Sequence, residues 1–550
     1  MEKIFGIDLG TTYSCIAHVD EFGKAVVVPN YENERTTPSV VFFEDDGSVI
    51  VGNEAKNMLK TDPEKVVSFI KRNMGDPNFL FIHNDVQYKP EEISNYVIKK
   101  LVKDASEKVG FEIKDVVITC PAYFGINERE ATKLAGEIAG LNVRSIINEP
   151  TAAALTYGID KVQDQTVLVY DLGGGTFDVT MIRIQPQSID VVVTGGSHEL
   201  GGKNWDNALM GYFEERFREE TGISDDIFSN PETFGEIQIN TENAKKTLST
   251  REKTKVPVLY GTDRVNVEIT KEKFDELTKD LTDNTILLTN QLLDEAKLKG
   301  FTSFDKILLV GGSTKMPQIK VALEQAFPNI PVESFDPDES VAKGAAIYGQ
   351  QLAVNGEIIK RIAEKTGKKE EEVVIEDMSE TELAKVQQEV ADKTGLTLGA
   401  VKKAGTKISI VVSKSFGVMA YVNDSEQKIV NMIIKQTTVP AEISQAFSTH
   451  EANQENVEIV IYENESYDKQ VDISLSKEIG KGVIDGIPSR LPAGSPVQVT
   501  FKINDEGRLD VQAVELTGNK ELNFSIETAS VISGKELEEA KARSKAIQLS

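Results

Sequence analysis

The sequence predicts an α/β unit over its first 353 residues and an all-β unit behind it, on three observations. First, short apolar runs at 116–119, 166–170 and 306–310 alternate with helical patterns at 127–139 and 340–352, the rhythm of a sheet covered by helices. Second, from 408 to about 532 the text turns to strands split by turn signals, as in IVNMIIK, VEIVIYEN, VQVTFKINDEGRLDVQAVEL and LNFSIET. Third, GIDLGTTYS at 6–14 recurs in kind as YDLGGGTFD at 170–178, so the front unit is expected to contain two related halves.

The helix at 340–352 is given its start by Asp336-Pro337-Asp338-Glu339, where Asp336 can cap, proline suits a first turn and a glutamate stands three residues on. Residues 354–406 are dense in lysine and glutamate, with apolar spacing that allows two or three short helices, and read as a connector. In the rear unit the NDEG turn between Ile503 and Arg508 is the plainest hairpin. GKELEEAKARSKAIQLS reads as the beginning of one charged helix. The expected division is therefore 1–353, a connector and linker over 354–415, a β unit over 416–533, and a helical start over 534–550.

At 550 residues the chain is too long for one core, which stops growing near 250 to 300 residues. With 61 Lys and Arg against 88 Asp and Glu, a net charge of -27 argues against a broad nucleic-acid footprint, which needs cations in excess. The two cysteines, Cys15 and Cys120, sit in apolar strand-like runs, with neither disulfide nor metal-ligand spacing. MEKIFGIDLG enters a strand without the features of a signal peptide, and no 18-residue apolar stretch occurs, so a cytoplasmic protein without membrane contact is expected.

Each glycine echo is an apolar strand ending in Asp, then a Gly/Thr turn, then another strand. Glycines let backbone N–H groups close on a phosphate, and threonine hydroxyls add donors. The carboxylates Asp8 and Asp171 at the strand ends can hold the waters of a Mg²⁺ that also binds phosphate oxygens. Read blandly, these are two glycine-rich hairpins; their pairing favours the phosphate reading. A third turn, Gly311-Gly312-Ser313-Thr314, follows a buried strand and precedes a helix, where a ligand crevice forms. No GxxxxGK[ST] sequence occurs, which excludes the Walker phosphate loop.

Two phosphate turns and a distal GGST turn resemble the actin-like ATPase fold. NERTTPSVV at 33–41, FIKRNMG at 69–75, PAYF at 121–124, INEPTAAALTYG at 147–158, LGGKNWDN at 200–207, ENAKKTLS at 242–249, LVGGSTKMP at 309–317 and DPDESVAKGAA at 336–346 narrow the resemblance to the seventy-kilodalton heat-shock (DnaK-type) chaperones. The resemblance implies an α/β actin-like ATPase with two related lobes, followed by a β-sandwich that binds peptide. It implies ATP/ADP with Mg²⁺ as cofactors and exposed hydrophobic, extended segments of unfolded polypeptides as substrates. A J-domain co-chaperone and a nucleotide exchange factor are implied as partners.

Carried over at matching positions, the resemblance gives the β- and γ-phosphates to Gly10, Thr11, Thr12 and Tyr13 and to Gly173, Gly174, Gly175 and Thr176. It gives the hydrated Mg²⁺ to Asp8, Asp171 and Asp178, with Glu149 nearby, and the γ-phosphate and attacking water to Lys71. Adenosine falls to Glu242, Lys245, Lys246 and Ser249 on one helix face, with Gly201 and Gly202 close by, and to Gly311, Gly312, Ser313, Lys315 and Asp338 opposite. Lys315 stands where the family usually has arginine, so weaker packing on adenine is expected. Pro121 and Arg129 match a relay between nucleotide and domain contact.

In the rear unit, 436–465 and 486–513 also match the family. Val418, Phe447, Val457 and Ile459 correspond to pocket positions, although from sequence alone each of the four reads more readily as sandwich core, and Tyr421 corresponds to a residue arching over the peptide. The chain departs from the family at TKISIVVSKSFG, where an aspartate-flanked leucine-rich linker is expected, and in its 354–406 stretch. The helical lid is expected to be missing beyond about 534, either because the natural protein is lidless or because the sequence is a shortened form, and without it peptide exchange is expected to be fast even with ADP. A scaffold or filament of the actin-like class and a small-molecule kinase on the same fold are the competing readings. The rear unit argues against the kinase.

Overall fold

The computed structural model describes residues 3–20, 22–158, 163–423, 426–504, 507–526 and 531–549. Its front part is built on two sheets of one design. In the first, strands run in the order Asn142–Asn148, Asp115–Cys120, Ile4–Asp8, Tyr13–Val19 and Ala25–Val27, with Thr37–Pro38 paired to Tyr13–Val19. In the second the order is Val332–Ser334, Lys306–Val310, Gln165–Leu172, Phe177–Gln185 and Ser188–Ser197. Both sheets pair their first three strands in parallel and the next two antiparallel. The two glycine turns thus occupy equivalent places, each between the third and fourth strands of its sheet, which is the structural counterpart of the sequence echo.

Apolar strands drive this arrangement. Val167, Leu168, Val169 and Tyr170 are fully buried, as are Val116, Val117 and Ile118 in the first sheet. Strands buried on both faces read as continuous rather than alternating apolar runs. The helix Ser340–Thr366 packs against the first sheet where Gly6 lacks a side chain, and against the helix Glu149–Gly158 where Gly344 lacks one. A Cβ at Gly344 would meet the Ala152 carbonyl oxygen at 1.8 Å.

That helix begins at Ser340, where the sequence pattern places it, but the cap at Asp336 does not form. Its N-cap is Glu339, with no side-chain cap bond. Asp336 instead adopts φ 41°, accepts the Ser340 N–H through its own carbonyl at 2.9 Å and gives its carboxylate to Lys343. The helix also runs on past 353 without a break. With Glu380–Thr394 and Leu398–Lys403 it encloses a small core of Val354, Ile358, Ile362, Val386, Val390 and Val401.

From there the chain enters the front part again. Strand Lys407–Val411 pairs in parallel with Ser188–Ser197, and Thr438–Val439 pairs antiparallel to it, so the second sheet grows to seven strands. The Gln436 side chain seals this edge, accepting from the Thr194 N–H at 3.1 Å and donating to the Thr194 carbonyl at 2.6 Å. The basic, β-branched text at 407–412, unlike an aspartate-flanked linker, is suited to a strand position.

Behind lies a two-layer sandwich. One sheet holds Gln470–Val471, Gln427–Ile433, Ser415–Tyr421, Asn456–Asn464 and Ser476–Asp485; the other holds Ala441–Ser448, Pro496–Ile503, Leu509–Glu515 and Lys520–Ser525. Phe416, Val418, Ile459, Ile461, Val499 and Phe501 fill the space between. The hairpin predicted at NDEG is flanked by paired strands in register Ile503↔Leu509, while Asp505 and Glu506 at its tip lie outside the described residues. The last helix, Gly534–Ala546, lies against helices Pro90–Val109 and Ile126–Ile138 of the front part: Arg543 pairs with Glu92, and the Ser544 hydroxyl donates to Asn95 Oδ1 at 2.7 Å. Val531 and Leu549 join the core of the front lobe.

Because the helix and Ala152 approach backbone to backbone, Gly344→Val overpacks a site that cannot yield. A loss of about 1–3 kcal/mol is expected, read as a lower denaturation midpoint. Unchanged stability would show that the helix is free to shift.

Candidate functional site

The two glycine turns meet. A Cβ at Gly174 would lie 1.7 Å from Thr12 Oγ1, and one at Gly175 would lie 2.4 Å from Thr11 Cγ2. Only glycine permits this contact between lobes. Gly311, at φ 83°, brings the third turn onto Asp171 and Leu172 from the side. Between the turns opens a cavity of about 660 Å³.

Most residues singled out in the sequence line that cavity. Asp8, Gly10, Thr11, Thr12, Tyr13, Lys71, Glu149, Asp171, Gly173, Gly174 and Thr176 form one wall and floor; Glu242, Lys245, Lys246, Ser249, Gly311, Gly312, Ser313, Lys315 and Asp338 form the other end. Gly175, Asp178, Gly201 and Gly202 stand behind the lining. Gly175 gives its carbonyl to Arg72, Gly202 donates its N–H to the Gly173 carbonyl at 3.0 Å, and Asp178 accepts the Tyr123 N–H at 3.2 Å.

At the floor, four acids face one cation. Lys71 is 5% exposed and ion-paired to Glu149. Burial, then the charge of Glu149, pushes Asp8 up to about 7 and does the same for Asp178. Asp171 is raised well above the usual carboxylate range by the same two causes in the same order. Burial works to lower the pKa of Lys71, but Glu149 and Asp8 outweigh it and hold the ammonium charged. Such crowding of negative charge suits a site that receives a cation. Among the described residues no three His, Cys, Asp or Glu side chains converge closely enough to chelate a metal directly, so a cation here fits as a hydrated ion. Thr12 Oγ1, buried and without a hydrogen-bond partner, is a free donor for an anion beside it.

The far end is an ion-pair lattice. Tyr13 donates its hydroxyl proton to Glu242 Oε1 at 2.9 Å and accepts from Lys246 at 2.8 Å. Lys245 binds Asp206 at 2.8 Å and the Gly202 carbonyl at 3.0 Å. Burial acts to raise Glu242, but Lys56 and Lys246 dominate and hold it down at about 2. Lys315 pairs with Asp338 across the mouth. The helix predicted for ENAKKTLS is Pro231–Leu248, with Ser249 as its C-cap.

Sequence reasoning left three participants unassigned. Arg72 reads as a solvated cation, yet it donates to the Gly175 carbonyl at 2.6 Å and to Asn204 at 2.9 Å, bracing the second turn. Lys56 and Asp206 anchor Glu242 and Lys245. FIKRNMG and LGGKNWDN contain Arg72 and Asp206, but nothing local in the sequence names their partners.

In the sandwich, Val418 and Ile459 lie in the core, with Phe447 and Val457 half-buried at its edge. Tyr421 is 47% exposed and stacks on His450, ring centroids 3.9 Å apart and planes 10° off parallel. This pair spans the two sheets at one end. Pro121 and Arg129 are linked by hydrogen bonds through Phe124, whose N–H donates to the Pro121 carbonyl at 3.2 Å and whose carbonyl accepts from Arg129 Nε at 3.1 Å.

Two lobes of one strand order, closed by facing glycine turns over an acid-lined cavity and followed by a sandwich, define a two-lobed nucleotide-cleft ATPase with an attached β-sandwich. The family described as Hsp70 protein matches residues 4–362 and 357–549. The chaperone protein DnaK of Halobacterium salinarum, from each of two strains, is 35% identical over 546 residues, covering 98% of this chain and 77% of the relative. The chain belongs to the Hsp70 family. With membership come an actin-like ATPase domain, nucleotide binding and ATP-dependent chaperone function toward unfolded polypeptides, and nothing favours the filament or kinase readings. No helix among the described residues is long and apolar enough to cross a membrane.

Because Asp8 is raised, it contributes stability that is present below its ordinary pKa and is lost as pH rises toward about 7. Asp8→Asn removes one acid from the cluster. In nucleotide-free protein the variant should melt above the parent at pH 7.5, with the gap closing toward pH 4, while ATP hydrolysis falls. Coincident melting curves across that range contradict the charge-crowding account.

Proposed function

We propose that ATP, bound in the cavity between the lobes, controls the affinity of the sandwich for extended apolar segments of unfolded proteins through the contact between the two parts. The phosphates lie on the facing turns, held by backbone N–H groups and the hydroxyls of Thr11, Thr12 and Thr176. Adenosine lies among Glu242, Lys245, Lys246 and Ser249 on one side and Gly311, Gly312, Ser313, Lys315 and Asp338 on the other. Asp8, Asp171 and Asp178 hold a Mg²⁺ largely through water, with Glu149 beside them; when bound, this ion neutralises charge on the β- and γ-phosphates. Lys71, drawn from its pair with Glu149 onto a γ-phosphate oxygen, stabilises the charge that grows as water adds to phosphorus and the bond to ADP breaks.

One path through the structure carries the proposal. Asp178 Oδ1 accepts the Tyr123 N–H at 3.2 Å, the Tyr123 hydroxyl donates to Glu465 Oε1 at 2.6 Å, and Glu465 pairs with Lys414 at 2.6 Å. Asp178 borders the nucleotide site and Glu465 belongs to the sandwich, so a change of charge at one end is felt at the other. Pro121, Phe124 and Arg129 run alongside, with Arg129 beside Gly507 of the sandwich. In the sandwich, Val418, Phe447, Val457 and Ile459 form the apolar seat and Tyr421 with His450 closes over it. The division into 1–353, 354–415, 416–533 and 534–550, a cytoplasmic location, and service by a J-domain partner and an exchange factor complete the reading.

A fluorescent apolar peptide bound to the ADP form tests it. ATP should accelerate release by roughly an order of magnitude, a coupling of 1–3 kcal/mol. Lys71→Ala should lower hydrolysis by roughly a hundredfold, yet still release peptide on binding ATP. Release unaffected by ATP in the unmutated protein sinks the coupling.

A further inference from the structure

Where the sandwich meets the front lobe, two carboxylates point at one spot. Glu463 is on the sandwich strand Asn456–Asn464 and is 4% exposed; Glu128 is on the front-lobe helix Ile126–Ile138. A Cβ built on Gly125 would lie 2.6 Å from Glu463 Oε2 and 2.9 Å from Glu128 Oε2. Both oxygens are buried, and neither has a hydrogen-bond partner.

The surrounding cations do not fill the space between them. Lys414 is engaged with Glu465 at 2.6 Å and lies over the Tyr123 ring. Lys477, from the neighbouring strand, approaches the other oxygen of Glu128, Oε1, at 3.5 Å. Arg129 is bonded through Nε to the Phe124 carbonyl and through Nη2 to Asn148, and its buried Nη1 makes no hydrogen bond to either carboxylate. Two ionised carboxylates facing each other out of water repel, whereas one proton between them turns the repulsion into a hydrogen bond of O–H to O⁻. Among the described residues no group of three His, Cys, Asp or Glu side chains could hold a metal ion, so the pair is not part of a metal site.

We propose that the sandwich docks on the front lobe with uptake of one proton, held between Glu463 and Glu128, so that docking strengthens as pH falls. The idea rests on the sandwich docking and undocking during the ATP cycle. When it undocks, Glu463 enters water and releases the proton. Burial, then the charge of Glu128, pushes Glu463 up to about 7 in the docked state, which places the effect between its ordinary value and neutrality. The sign follows: the docked state binds more protons than the undocked one in that window, so raising pH through it weakens docking, and above it no further change arises from this pair.

Two measurements on the full chain test this, each read as the difference between the parent and Glu463→Gln. The difference removes the contribution of the nucleotide-site acids, which titrate in both proteins. The glutamine amide offers a permanent N–H to Glu128. In the first, interdomain energy transfer between one dye on each part is followed from pH 5.5 to 8.5 with saturating ATP. The parent's docked-to-undocked ratio should fall roughly tenfold across the range, and Glu463→Gln should dock more tightly at pH 8 with a flatter profile. In the second, melting temperatures are compared: the variant should exceed the parent at pH 8, with the advantage gone at pH 5.5. Equal pH slopes for the two proteins, or a variant less stable than the parent at pH 8, overturn the shared proton. If energy transfer never changes with nucleotide while the melting difference appears, the proton stands and the nucleotide-driven change in docking falls.

Discussion

The constraint on which the nucleotide cavity depends is the contact between two turns that belong to different lobes. Thr11 and Thr12 of one turn occupy the space that side chains on Gly174 and Gly175 of the other would need. Each lobe is a sheet that can fold around its own core, yet the cavity exists only where the turns touch. Their approach puts Asp8 and Asp171, each at the end of its third strand, on one floor, and brings Lys71 and Glu149 over them. It also fixes the distal lattice, because Ser313 holds the Gly173 carbonyl at 2.9 Å and Lys245 holds that of Gly202. A protein held this tightly at one line of contact rotates about it more easily than it slides.

From that line, charge does the work at a distance. The floor is an arrangement of like charges whose repulsion is relieved by what binds there. Asp178 stands behind the lining, and its acceptor bond from Tyr123 ties the floor to the face on which the sandwich sits. The sandwich side of that face is again acidic, with Glu463 and Glu465, and is matched by Lys414 and Lys477. The linker strand at 407–411 completes the attachment through backbone hydrogen bonds, independent of the charges. Side-chain electrostatics and sheet extension therefore hold the same interface by two means that respond to different conditions.

Much of this was legible in the sequence because it is local. A strand buried on both faces reads as an unbroken apolar run, and 306–310 was bounded to the residue. The repeated Asp–Gly/Thr turns foretold two related halves, which are two sheets of one strand order. Helical spacing put Glu242, Lys245 and Lys246 on one face. What escaped depends on partners far along the chain: Arg72 looks solvated until Gly175 and Asn204 are brought to it, and the partners of Lys56 and Asp206 are likewise nonlocal. The expected cap at Asp336 failed for a local reason: the residue takes φ 41°, and its carboxylate pairs with Lys343, seven residues on, instead of with the first backbone N–H groups of the helix. The proposed peptide seat is hardest to read, since Val418 and Ile459, buried in the sandwich core, look alike as core and as pocket.

The central claim is that nucleotide and peptide sites are joined through Tyr123. Tyr123→Phe keeps the ring and the backbone N–H that serves Asp178 and removes only the hydroxyl bonded to Glu465. The decisive measurement is the rate of ATP-induced peptide release in this variant, taken beside its hydrolysis rate without peptide. The account predicts hydrolysis close to that of the parent and release slowed severalfold, whereas release at the parental rate would contradict it.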